Sequence, residues 1–103
     1  MASNSTQISA AAALLQLLQE NPSLPEAGWS IGSVIPELRG FVHEGGMAAL
    51  AAYQDVIGGS VRAANCYESA GRLLRRHLLS AVWRDVPVEV VVAVPAKSLA
   101  GAA

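Results

Sequence analysis

Four of the seven basic residues of this chain, Arg72, Arg75, Arg76 and Arg84, fall in one short stretch. Arginine at that density suits a phosphate backbone, because each guanidinium offers a planar fork of donors to anionic oxygens. On a helix, Arg72, Arg75 and Arg76 would share a face, with Trp83 nearby. On a strand, Arg75 and Arg76 point to opposite faces and the patch is diluted. The competing reading is a solvated charge cluster that guards a sheet edge. The whole chain carries a net charge of −1, so no long-range steering toward nucleic acid or an anionic membrane is expected. No helix-turn-helix, zinc-finger or RNA-binding motif accompanies the arginines.

Other reactive residue types are sparse. Cys66, with His43 or His77 and Asp55 or Asp85, formally composes a thiol triad, but triads are defined by geometry and not by composition. A lone cysteine among alanines reads first as a small buried hydrophobe. His43, Glu44, Cys66 and His77 are the metal-ligand candidates, and none shows C-x-x-C or H-x-x-x-H spacing. Gly45-Gly46 precedes a helix, whose free N–H groups attract anions, yet no Lys-Ser/Thr and no G-x-G-x-x-G follows. Helix punctuation explains that pair better. The aromatic residues Trp29, Phe41, Tyr53, Tyr67 and Trp83 are too scattered in sequence for a stacking platform, and the two tryptophans read as core or interface anchors. The expectation is therefore no catalytic residue, no cofactor and no metal.

A chain of 103 residues suits one domain with one core. Its apolar fraction of 52% argues against general disorder. One cysteine excludes an internal disulfide and fits a reducing compartment. The apolar run 10–18 lacks a basic flank and is broken by Gln16, so it reads neither as an export signal nor as a span. The expectation is a soluble, cytoplasmic protein that does not enter membranes.

The positioning elements follow from periodicity. After a loose start over 1–5, Ala11, Leu14, Leu15 and Leu18 mark a helix face, with Ser5 or Thr6 as cap and Asn21-Pro22 as stop. Residues 29–31 and 38–43 alternate like strands of a hairpin with an irregular connection. Ala49, Leu50, Tyr53, Val56 and Ile57 mark a second helix, ended by Gly58-Gly59 with glycine in a left-handed conformation. Residues 60–67 read as a strand.

The stretch 69–84 supports two readings. Leu73, Leu74, His77, Leu78, Ala81 and Val82 sit at helical spacing. Yet a two-residue turn at Arg84-Asp85 would pair Trp83 with Val86, Ala81 with Val88, Leu79 with Val90 and His77 with Val92. The other face then pairs Ser80 with Glu89, so the polar residues meet outside. The hairpin explains two segments at once and is preferred, although Asn-Gly is the better turn pair. The order is α-β-β-α-β-β-β, an α+β fold with a mostly antiparallel sheet and two helices packed on one face. The single domain covers 6–95, and 96–103 is expected to fray.

The stretches AAALLQLLQENPSLPEAGWSI, LRGFVH and AVWRDVPVEVVVAV resemble a set of small α+β proteins of no known activity. That set occurs in high-GC actinomycete genomes and their phages or mobile elements. Its near-terminal W/Y-R-G-V-P-V-x-V element is similar to residues 83–90, and the likeness covers residues 10–94. The chain departs at Asp85, where the pattern has glycine, and in the basic Arg72, Arg75 and Arg76. The resemblance supports the hairpin and implies a regulatory or phage–host interference role.

The functional expectation is a non-enzymatic protein-interaction or accessory module, homodimeric through its sheet face or edge. Leu78, Val82, Val91 and Ala93 would form the interface, because contiguous exposed apolar residues mark one. The alternative is weak nucleic-acid binding through Arg72, Arg75, Arg76 and Arg84.

Overall fold

The computed structural model describes residues 5–32 and 35–96. In chain order the elements are α1 (Ser5–Glu20), β1 (Gly28–Ile31), β2 (Leu38–Val42), α2 (Gly46–Ile57), β3 (Ser60–Ser69), β4 (Arg72–Trp83) and β5 (Val86–Pro95). This is the expected order, and the fold is α+β. Met1 to Asn4 of the expected loose start, and residues 97–103 of the expected frayed tail, lie outside the described residues. Ala96 is described, and its N–H donates to the Leu73 carbonyl at 2.9 Å.

Stretch 69–84 is not helical. β4 and β5 pair antiparallel from Trp83↔Val86 through Leu79↔Val90 to Leu74↔Pro95, the register expected from a turn at Arg84-Asp85. Both turn residues have positive φ, 51° and 68°, the backbone that matches the twist of the flanking strands. Leu79, Val86, Val88, Val90 and Val92 are buried. Burying that many apolar side chains on one ladder outweighs the helical spacing of the leucines.

The five strands form one sheet in the order β1-β2-β5-β4-β3. Three pairings are antiparallel, and β2 pairs β5 in parallel. Parallel neighbours need a long crossover, and α2, β3 and β4 together supply it. β3 is a ten-residue edge strand whose register shifts between Ala63 and Cys66, an irregularity of the kind that blunts edge-to-edge pairing.

One buried cluster joins Ala10 and Ala13 of α1, Ala49, Leu50 and Tyr53 of α2, and Leu38, Val42, Leu79, Val88, Val90 and Val92 of the sheet. The buried stripe of α1 is a correction. Ala10, Ala13 and Leu17 are buried, whereas Leu15 and Leu18 of the expected face are 56% and 40% exposed. Both stripes have helical spacing, and the alanine stripe lets the helix axis come closer to its neighbours. The end of α1 is closed by Asn21, whose backbone and side-chain N–H groups both donate to the Leu17 carbonyl. At the end of α2, Gly58 has φ 71° and ψ −149°. Positive φ was expected there, but the ψ lies outside the left-handed helical region.

Candidate functional site

Residues paired across neighbouring strands project to the same side of a sheet. The register therefore sets Phe41, Val91, Leu78 and Arg62 in one row across β2, β5, β4 and β3. The adjacent row holds Arg39, Glu89, Ser80 and Ser60. Along β4 the same side continues through Arg76, Leu74 and Arg72, with Arg76 opposite Ala93 and Leu74 opposite Tyr67. Leu78 and Val91 lie in a concavity of about 290 Å³ shared with Phe41, Arg39, Arg62, Arg76 and Glu89. Ala64 and Asn65, at the register shift of β3, close it on one side.

The four residues expected at an interface, Leu78, Val82, Val91 and Ala93, thus occupy one side of the sheet. Val82 is the most open, at 63% exposure. The four arginines separate. Arg72 and Arg76 share this side. Arg75 faces the other way and donates from Nε to the Cys66 sulfur at 3.2 Å. Arg84, at the β4–β5 turn, grips both oxygens of Glu20 at 2.8 and 3.0 Å and lies 4.9 Å from the Trp83 ring centroid.

Two cations absent from the sequence expectation join the face, Arg39 and Arg62. They are far from the 72–84 cluster in sequence, and only strand alternation combined with the strand order brings them in. Arg39 is neutralised by Glu89 at 3.0 Å. Among the described residues, Arg62, Arg72 and Arg76 make no salt bridge. Arg76 stacks over Tyr67, 4.8 Å from the ring centroid. The aromatic residues are also less scattered than their sequence positions imply. Phe41 and Tyr67 share this side, and Phe41 lies beside His43 with ring centroids 5.0 Å apart.

Charge is unevenly distributed. Residues 60–83 hold four arginines against the single carboxylate of Glu68, a net +3. The remainder holds three basic and seven acidic residues, a net −4. A chain nearly neutral as a whole therefore presents a cationic β3–β4 hairpin.

The other candidate residues do not converge on a reactive centre. The thiol partner of exposed Cys66 is Arg75, and the buried Nδ1 of His77 has no hydrogen-bond partner. An open concavity of about 810 Å³ lies between Pro25–Gly28 and His43–Gly45. It holds His43, Glu26 and Glu44, but no group of three or more His, Cys, Asp or Glu among the described residues could hold a metal ion. No helix among the described residues is long and apolar enough to cross a membrane. No protein-family model, no curated protein and no solved structure matches this chain.

Proposed function

We propose that the chain is a non-enzymatic interaction module that works through the sheet side bearing Leu78, Val82, Val91 and Ala93. On this reading α1 and α2 both cover the opposite side. The shared buried cluster of Ala10, Ala13, Ala49, Leu50 and Tyr53 with Leu79, Val88, Val90 and Val92 supports that arrangement. The observation that carries the reading is the concavity over Leu78 and Val91, whose lining among the described residues comes from strands alone. Apolar floors ringed by charged groups are the anatomy of a binding patch. The resemblance to small proteins of actinomycetes and their phages adds a regulatory setting for such a module in the cytoplasm.

The expected homodimer fits a different surface from the one first assigned to it. Two copies of a face on which Arg39, Arg62, Arg72 and Arg76 outnumber Glu37 and Glu89 would repel. The outer stripe of α1 exposes Ile8, Leu15 and Leu18, and residues 5–19 contain no ionisable side chain. Self-association on this reading uses α1 and leaves the sheet free. Light scattering across a concentration series checks it. A parent that stays monomeric throughout sinks the dimer; Leu15→Glu is expected to shift the mass toward monomer, and a dimer left unchanged by it removes α1 as the interface.

The module itself is tested by affinity capture from native lysate with the unaltered protein and with Leu78→Glu/Val82→Glu. The pair is expected to lose the captured partner while circular dichroism stays unchanged. Equal capture by both proteins removes the sheet side as the working surface.

A further inference from the structure

We propose that this sheet side binds single-stranded nucleic acid, with Arg62, Arg72 and Arg76 on phosphates and Phe41 beneath a base. The inference rests on the interaction-module reading and names its partner. Three features select this ligand. The first is free cationic charge: Arg62, Arg72 and Arg76 have no carboxylate partner among the described residues. An anion is the complement they lack.

The second is extent. From the row of Leu78 and Arg62 to Arg72, β4 advances six residues, roughly 20 Å. A single phosphate or carboxylate engages one of these arginines, whereas a chain of phosphates engages all three. The third is chemistry between the charges. Phe41 and Tyr67, both half-buried, flank an apolar floor of half-buried Leu78 and Ala93 over the buried Val91, and aromatic rings are the side chains on which unpaired bases stack. A duplex keeps its base faces inside the stack and would offer that floor nothing. A peptide of acidic residues alone satisfies the arginines but has no aromatic ring to stack on Phe41.

The test is fluorescence anisotropy with labelled oligothymidylate and oligouridylate of about 12 nucleotides, with poly-glutamate as competitor. Both oligonucleotides are expected to bind, and a fourfold rise in salt should weaken binding about 20-fold for three phosphate contacts on a single strand. Arg62→Ala and Arg76→Ala should each weaken binding and flatten the salt slope by about 0.7. Phe41→Leu keeps an apolar side chain without the ring and should weaken binding on the order of tenfold with the slope unchanged. Arg84→Ala, at the β4–β5 turn, should leave binding as it was.

Failure of both oligonucleotides to bind at low salt overturns the proposal. So does poly-glutamate competing as strongly as unlabelled oligonucleotide while Phe41→Leu has no effect. That second result would assign the face to an acidic polypeptide and leave the interaction-module reading intact. The module reading falls separately, by equal capture with the Leu78→Glu/Val82→Glu protein.

Discussion

The indole N–H of Trp83 donates to the backbone carbonyl of Ala13 at 3.0 Å, joining the last residue of β4 to the middle of α1 across 70 positions of sequence. A further tie beside it, Arg84 to Glu20, is exposed, so solvent screening leaves it little weight. Trp83→Phe keeps an aromatic ring and removes the donor. It is expected to cost about 1–2 kcal/mol, from the lost hydrogen bond and some apolar area. Urea denaturation followed at Trp29 measures this, and an unchanged midpoint would show that the bond does not anchor α1.

Two tight turns carry non-glycine residues with positive φ. Ala70 has φ 53° and precedes Gly71, and Asp85 has φ 68°. Left-handed backbone costs an ordinary L-residue roughly 1–2 kcal/mol, less for Asp and Asn. Ala70→Asn and Asp85→Gly should each raise stability by about 0.5–1 kcal/mol, read as a higher Tm. No gain from Ala70→Asn would mean the turn is not held in this conformation in solution.

Gly40 lies against the face of Trp29. A Cβ at this position would stand 2.8 Å from two ring carbons, closer than packed atoms allow. Trp29 in turn meets Tyr53 edge-on, with centroids 6.0 Å apart. Gly40→Ala is expected to displace the indole, cost about 1–3 kcal/mol and change the near-ultraviolet circular dichroism. A spectrum and stability identical to those of the parent would contradict the packing of β1 on β2.

Tyr53 is fully buried, and its hydroxyl donates to the Pro25 carbonyl at 2.5 Å. Burial pushes the phenol above its usual 10.0. The folded protein therefore binds this proton more tightly than the unfolded chain. The resulting stability is fully present below pH 10.0 and is lost as pH rises through the higher folded value. Tyr53→Phe should lower stability at neutral pH by about 1 kcal/mol and make the decline above pH 10.0 shallower. An alkaline titration of Tm, comparing the two proteins, shows whether the slopes differ.

Local chemistry was enough to read the elements and one long-range register. Ser80 and Glu89 are the polar residues that pair directly on the outer side of the ladder, and a two-residue turn at Arg84-Asp85 is the connection that aligns them. Every pairing from Trp83↔Val86 to His77↔Val92 follows from that alignment, because a one-residue slip would turn Val86, Val88, Val90 and Val92 outward. The two helices were equally legible from their 3.6-residue period, but not which stripe of α1 is buried. Periodicity weighs Ala10, Ala13 and Leu17 much as it weighs Ala11, Leu14 and Leu18, whereas packing distinguishes them by how closely the helix can approach.

Only the tertiary structure decided the composition of the candidate site. Alternation assigns Arg39, Arg62 and Arg76 each to a side of its own strand. Whether those sides coincide depends on the parallel β2–β5 pairing and the edge position of β3. Both are set by which apolar faces fit together across the whole core. No short window of sequence contains that competition, so a cationic face built from β2, β3 and β4 became visible only once the strands were ordered.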